Sequence, residues 1–417
     1  MLLHSPPLPL IVRIEPSYRN ATQFFDNITR ALQYPDRVVS ISIHTCVVDP
    51  ELLIALDKTF PALETFSIMI DLFESVNLRA RFFPENFVAP RLRTVYLQNA
   101  NIFEVLPLPI SVKTSLVSLC IEQIEDYSYL PPDELAECVS SMPQLEKLSI
   151  RSLTSFFLPD TDRELWGTQL TDTVLLPNLR ELTFGGDSAY LDKMLALIST
   201  PLLQCLDVAF FSQRTLAIQH ISEFLSTIQN FDFQAVEVSF SDRVTITYHP
   251  TPTSDSLSRV KFRIDDGTDR LDQQVATAIQ ICAAVGPALN AVKDVALEFN
   301  LCDVPDDFVV RSELWRTFLR SFEALRTLRT DVALVPELSK VLNPDNGAAA
   351  EELLPMLSEL IVVSMIDLIH NPFASLIDAR SFAGRVINFQ VIKRCSPPFR
   401  TYTVGNFDAY MNNMIAL

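Results

Sequence analysis

One phrase recurs along this chain: Pro, any residue, then Leu-x-x-Φ-x-Φ, where Φ is an apolar side chain. It reads FPALETFSI from Phe60, APRLRTVYL from Ala89 and MPQLEKLSI from Met142. It returns as LPNLRELTF from Leu176, TPLLQCLDV from Thr200 and LPMLSELIV from Leu354. A supersecondary unit repeated at intervals dictates the architecture, because each unit is too small to bury its own apolar face and must stack on its neighbours. It also bounds function, since stacked units present a surface more often than they enclose a catalytic pocket.

Relaxing the phrase to Φ-x-x-Φ-x-Φ adds copies at Val38, Leu116, Ala235, Leu257, Val292, Leu325 and Val386. The intervals average about 29 residues, inside the range of leucine-rich repeats. The copies at Ala235 and Val386 are weak, and at Leu325 the last apolar place is taken by Thr330. The closing Φ-x-Φ has the period of a strand. Between strands the period becomes helical: Leu135, Cys138, Val139 and Met142, then Leu191, Met194, Leu195 and Ile198, then Ile221, Phe224, Leu225 and Ile228. Leu271, Val275, Ile279 and Cys282 make a similar stripe, as do Leu314, Phe318 and Phe322. Each stripe is one apolar face of an amphipathic helix. Helix starts are marked by Asn20 with Gln23, by Pro131-Pro132-Asp133 and by Asp187-Ser188.

Strand, loop, helix, loop is therefore the repeating unit, and parallel strands need a crossover of about this length. The expected fold class is α/β: a leucine-rich-repeat solenoid, with a curved parallel sheet on the concave side and helices on the convex side. The expected organisation is a single solenoid over 1–417. Residues 1–37 form an N-terminal strand–helix cap, 38–391 the repeats and 392–417 a C-terminal tail. Insertions interrupt the rhythm near 151–175, which carries Phe156, Phe157, Leu165 and Trp166, and near 241–256. In the second, Arg243–His249 reads as an extra strand paired in a hairpin with 235–240, followed by a loop at Pro250–Asp255. Asn343–Ala350 reads as a turn and flexible join.

The net charge of −18 disfavours nucleic acid or an anionic membrane as a general partner. No apolar run approaches the length of a membrane span, and the apolar N-terminus lacks a basic lead and a cleavage site. The 7 Cys make no C-x-x-C pair, and scattered single thiols suit a reducing compartment. A cytoplasmic or nuclear location is expected. Without a secretory signal, the glycosylation patterns at Asn20 and Asn27 read as chance.

Signals for chemistry are missing. None of the 5 His pairs with another His or with Cys at metal-ligand spacing. His220 sits beside an apolar stripe and reads as a structural histidine. Only 8 Gly occur, where an average composition would supply roughly 30, and no dinucleotide, P-loop or nucleophile-elbow motif is present. Gly185-Gly186 before Asp187 reads as a strand-to-helix turn and not as an anion site. Asp265-Asp266-Gly267 with Asp269 lacks the distal Glu of a calcium loop. No cofactor, metal or catalytic residue is expected, and the chain reads as non-enzymatic.

If the strand register is right, the residues flanking each middle Φ face the concave side. The first strands offer mainly hydroxyl and thiol groups with one aromatic, Tyr96. From Lys147 to Arg329 charges of both signs appear. The candidate partner-binding residues are Tyr96, Lys147, Glu181, Asp207, Glu237, Arg259, Lys261, Asp294 and Arg329. Charge complementarity on such a face would favour specificity over raw affinity. The alternative is a solvated sheet face, which is polar by default.

The Pro-x-Leu-x-x-Leu phrase at variable intervals, without an Asn ladder, resembles the leucine-rich-repeat region of fungal F-box proteins, especially those of mushroom-forming fungi. Ser5–Ile14, a helix, and Tyr34-Pro-Asp-Arg-Val38 leading into Ser40–Ile43 resemble the segment just after the F-box in that family. The resemblance implies a substrate-recognition subunit of a cullin–RING ubiquitin ligase. The F-box itself, a helical module that docks on the ligase adaptor, should precede the repeats. Met1–Pro9 cannot form it. Either the coding sequence continues upstream or the link to the ligase has been lost. The expectation is thus a non-catalytic protein-recognition module with a protein partner of unknown identity, joined by the ligase adaptor if an upstream F-box exists. The alternatives are a free-standing interaction scaffold unconnected to ubiquitin and, disfavoured, an enzyme.

Overall fold

The computed structural model describes residues 8–14, 27–45, 50–70, 83–99, 108–124, 130–152, 173–211, 213, 215–228, 233–250, 259–265, 270–299, 310–342, 353–364 and 370–393. The expectations for Asn20–Gln23, Phe156–Trp166, Pro250–Asp255 beyond its first residue, Asp266–Asp269, Asn343–Ala350 and the tail from 394 lie outside them.

Strands form where the repeated phrase requires them. The first six are β1 (Leu10–Ile14), β2 (Val38–Thr45), β3 (Thr65–Ile70), β4 (Thr94–Gln98), β5 (Ser118–Ile124) and β6 (Lys147–Ser152). Next come β7 (Val174–Leu175), β8 (Glu181–Gly186), β9 (Ile198–Ser199), β10 (Cys205–Phe211), β11 (Ala235–Phe240) and β12 (Val244–His249). Last are β13 (Arg259–Asp265), β14 (Asp294–Phe299), β15 (Thr327–Asp331), β16 (Glu359–Ser364) and β17 (Asn388–Lys393). All but β7 and β9, which pair with each other, join one 15-stranded sheet.

The phrase has a definite physical content. Its Pro occupies the second place of a β-turn that the Leu amide closes, and a fixed φ near −65° suits that place. The closing bonds are Leu63 N–H to Phe60 O (3.3 Å), Leu92 to Ala89 (3.1 Å), Leu145 to Met142 (3.1 Å) and Leu203 to Thr200 (3.1 Å). Leu63, Leu92, Leu179 and Leu203 are wholly buried, and Leu145 and Leu357 nearly so. Burying one such side chain contributes roughly 1.5–3 kcal/mol. The next residue carries the ladder inward by one step: Arg93 N–H donates to Glu64 O, Val117 to Arg93 O, Glu146 to Val117 O and Arg180 to Glu146 O. Thr330, at the imperfect copy, is fully buried and donates its hydroxyl to Asp331 O at 3.2 Å. One polar group is thereby tolerated in the core layer.

Helices cover one face of the sheet. Leu135 and Val139 of helix Pro132–Ser140 are buried, as are Leu191, Met194 and Leu195 of Ser188–Leu197 and Phe224 and Leu225 of Ile221–Thr227. Two stripes differ from expectation. In Ser312–Arg320 the buried residues are Trp315, Phe318 and Leu319, with Leu314 only half-buried and Phe322 beyond the helix end. In Leu271–Val285 Ile281 is fully buried whereas Ile279 is not. Consecutive helices from Pro132–Ser140 to Val335–Leu342 touch their neighbours, forming a continuous second layer. This is the α/β architecture of a leucine-rich-repeat solenoid, with one departure.

The departure is local reversal of strand order. Through the centre the sheet runs β10-β13-β12-β11-β14. The expected hairpin is present, with β11 antiparallel to β12 from Ala235 opposite His249 to Phe240 opposite Val244. However, β12 continues antiparallel into β13, and β13 lies parallel to β10. Chain order therefore fails as a guide to neighbours here, and an all-parallel sheet is not what forms. The helix Ile221–Thr227 carries the chain past two empty places, and β12 and β13 then fill them by meandering back. Helix Leu271–Val285 pins the insertion. Gln274 Nε2 donates to Ser241 O in the β11–β12 turn at 2.7 Å, and Cys282 Sγ lies 3.9 Å from the Tyr248 hydroxyl.

Two weak copies are corrected. In β11 it is Phe233, 1% exposed, that fills the Leu place, because Ala235 pairs with Asp294 and Val236 with Val295. The copy begins two residues before Ala235. At the far edge Val386 is exposed while Ile387 is buried.

Candidate functional site: the open face of the sheet

Among the described residues the other face of the sheet carries no helix layer, and the register orders its side chains into rows. One row runs Ser40, Thr65, Thr94, Ser118, Lys147, Glu181, Cys205 and Arg259. Through the hairpin it continues as His249 and Ala235, then as Asp294, Thr327, Glu359 and Asn388. A second row runs Ser42, Ser67, Tyr96, Cys120, Ser149, Thr183, Asp207, Lys261, Thr247, Glu237, Ala296, Arg329, Ile361 and Gln390. Every residue assigned to the inner face from the sequence lies on this face, because alternation by two is unaffected by strand order or by a slip of two.

The candidates differ in what they present. Lys147, Glu237, Arg259 and Arg329 are exposed, and Glu181, Lys261 and Asp294 are half-buried. Tyr96 is only 3% exposed. Its hydroxyl donates toward Gln98 Oε1 and Glu122 Oε2, each at 3.1 Å, so it braces neighbouring side chains and offers no ring surface. Asp207 is 8% exposed and is engaged by Arg263, whose Nη2 stands 2.6 Å from its Oδ1.

A third row, except for Ser239, was not read from the sequence. It comprises Gln98, Glu122, Arg151, Gly185, Ala209, Arg263, Thr245, Ser239 and Glu298. The signal for it was present, since each strand continues its alternation one step past the last Φ of the phrase. Gly185 has a steric reason: a Cβ there would stand 3.4 Å from Arg151 Cγ, so the bare backbone gives the arginine stem room.

Charges on the face pair laterally between strands. Lys147 Nζ stands 3.0 Å from Glu181 Oε1, Arg151 Nη1 3.6 Å from Glu122 Oε1, and Arg329 Nη2 3.9 Å from Glu298 Oε1. His249 Nε2 is 4.0 Å from Glu237 Oε2. Gln390 Nε2 donates to Glu359 Oε1 at 3.1 Å. Such pairs are worth little as stability when exposed, but they hold long side chains in place.

Titration follows the same surroundings. Burial pushes the Cys120 thiol up to about 12, with the Glu122 carboxylate adding to it. The Cys205 thiol is pushed up by burial against the pull of Arg259. Burial lowers the Lys261 ammonium, and Arg263 and Arg259 lower it further against Asp207 and Glu237. His249 is likewise held below the usual histidine range, first by burial and then, against Glu237, by Arg259 and Lys261.

Away from the sheet face, the remaining sequence features serve structure. Gly185 and Gly186 are the last residues of β8 and not the turn expected there; Asp187 alone joins the strand to the helix, its Oδ1 accepting from Ala189 N (2.8 Å) and Tyr190 N (3.2 Å) as a cap. His220 Nδ1 lies 2.7 Å from Asp192 Oδ2, and its backbone N–H donates to Asp192 Oδ1 at 2.7 Å, tying one helix start to the preceding helix. Among the described residues no group of three or more His, Cys, Asp and Glu is placed to hold a metal ion. No helix of the described residues is long and apolar enough to cross a membrane.

No protein-family model matches the chain, and no curated protein matches it. Among solved structures it is similar to the leucine-rich repeat-containing protein LegL7 from Legionella pneumophila, at 11% identity and a TM-score of 0.29, over 82% of this chain and 98% of that one.

Proposed function

We propose that the open face of the sheet is a protein-recognition surface and that the chain is a non-catalytic binding module. The observation that carries this reading is the ordered polar face itself. Rows of hydroxyl and charged side chains are held across many strands by lateral hydrogen bonds and ion pairs, with no helix layer over them among the described residues. Polar groups spread along a surface and fixed in advance suit recognition of another surface, because less side-chain freedom is lost on binding.

The resemblance of the repeats to those of fungal F-box proteins makes a ubiquitin-ligase substrate the partner class to test first, in cytoplasm or nucleus. A photo-crosslinker installed at Arg329, on the open face, should capture a discrete protein that one at Lys193, on the helical layer, does not. The purified partner should then protect open-face strands from hydrogen exchange. Protection confined to the helical layer would overturn the reading. Co-purification of the ligase adaptor with the product of the full-length transcript decides between a ligase subunit and a free-standing scaffold.

A further inference from the structure

The centre of the open face differs from the rest. Arg259, Lys261 and Arg263 occupy successive outward positions of β13, so three cationic groups line one strand of a chain whose net charge is −18. The local strand reversal brings this stripe between β10 and β12. Its paired neighbours are Cys205, Asp207 and Ala209 on β10 and Thr245 and Thr247 on β12, so Asp207 is the one carboxylate directly in register with it.

The carboxylates nearby are largely committed. Asp207 is held by Arg263, Glu181 by Lys147 and Glu237 faces His249. Among the described residues neither Arg259 nor Lys261 has a carboxylate at salt-bridge distance, and the Arg263 Nε finds no acceptor. The next outward residue of β13 is Asp265, so the cationic stripe ends at Arg263.

We infer that the β13 stripe is the docking site for an extended acidic segment of the protein partner, with Arg259 and Lys261 as its charge-reading residues. The inference rests on the open face being the recognition surface. Alternate residues of a strand stand about 6.6 Å apart on one face. An extended peptide lying along β13 with acidic side chains at alternate positions therefore meets Arg259 and Lys261 in register. Single carboxylates fit better than phosphate dianions, because Asp207 and Glu237 flank the stripe and repel a second negative charge.

The test uses the full chain and a dye-labelled peptide of alternating Glu and Ser, about a dozen residues long, read by fluorescence anisotropy at low and physiological salt. Binding should weaken as salt rises. Affinity should fall at least about tenfold in Arg259→Glu/Lys261→Glu and less in Arg259→Gln/Lys261→Gln. Lys193→Glu/Arg311→Glu, which makes the same change of net charge outside the sheet, should leave it unchanged. The Gln–Ser peptide should not bind. If the charge-reversed protein does not fold, as read from its unfolding midpoint, the Gln pair carries the test. No binding of the acidic peptide, or equal binding by the stripe variants, overturns the inference. Equal or tighter binding of a single-stranded DNA of matched charge overturns the assignment to an acidic peptide. Hydrogen exchange separates the two readings: protection of open-face strands that the stripe variants leave intact sinks only this inference, whereas protection of the helical layer sinks the recognition face as well.

Discussion

Arg263 of β13 and Asp207 of β10 meet at 2.6 Å across two strands that are 56 residues apart in the chain. They are neighbours only because the chain skips two places in the sheet and returns to fill them. Both side chains are substantially screened from solvent, at 28% and 12% exposure. The pair lies between the surface case, which is nearly neutral, and the buried case, in which breaking one side is costly. A double-mutant cycle with Asp207→Asn and Arg263→Met should give a coupling of about 1 kcal/mol in urea unfolding, smaller at high salt. Purely additive single changes would remove the pair as a fastener of the reversed strands.

Arg380 is 5% exposed and gives Nη1 to Leu354 O at 2.9 Å and Nη2 to Leu353 O at 2.6 Å. Leu354 has a φ of +55°, a backbone region that disfavours residues with a Cβ. The guanidinium thus satisfies two carbonyls at a strained turn before β16. Arg380→Met should cost about 1–3 kcal/mol, chiefly through the Leu353 carbonyl, because Leu354 O keeps the Leu357 N–H. Arg380→Lys should recover only part, since an ammonium lacks the planar fork. Hydrogen exchange should show β16 and β17 opening first; unchanged protection there would refute the role.

The Leu of the repeated phrase should behave as a nearest-neighbour element. Leu179→Ala should destabilise by about 2–5 kcal/mol. The loss of exchange protection should centre on β6, β8 and β10 and fade with distance along the sheet, as stacked units couple mainly to their neighbours. A uniform loss from β2 to β17 would mean that the sheet unfolds as one unit.

Burial pushes the Cys282 thiol up to about 12 and the Tyr248 hydroxyl well above its usual value. Both groups hold their protons more tightly folded than unfolded. The unfolded state therefore binds fewer protons above its own thiol pKa of 9.0, and stability falls as pH rises from there toward about 12. Stability at about pH 10.5 should be lower than at about pH 8 by about 2 kcal/mol for the thiol alone, and Cys282→Ala should flatten that fall. Iodoacetamide should label Cys282 only after unfolding, because the thiolate is the reactive form. Rapid labelling of Cys282 in the folded chain would contradict its burial.

Much of the structure is local in origin and was legible for that reason. Pro-x-Leu specifies a turn through the fixed φ of Pro, and the following Φ-x-Φ specifies which residues face the helices. Lys147, Glu181, Arg259 and Lys261 could be placed on the open face from parity alone. The third row, with Glu122, Arg151 and Arg263, was missed because the phrase ends one step before the strand does. Phe233 was missed because Ala235 satisfied the same loose pattern two residues later. Tyr96 was on the right face, yet its burial depends on neighbours from other strands.

What the chain alone determined is the repeating unit: turn, strand, helix, and the side of the sheet on which each strand residue stands. Those follow from dihedral preferences and from a side-chain period of two, which any short stretch carries. Only the tertiary structure decided the order β10-β13-β12-β11-β14, and with it the contacts of Arg263 with Asp207 and the position of the cationic stripe. Val260, Phe262 and Ile264 alternate as the core side of any strand here would. Which strand lies beside them is set by hydrogen bonds between distant segments and by the helix that crosses above, and neither leaves a mark in the local pattern.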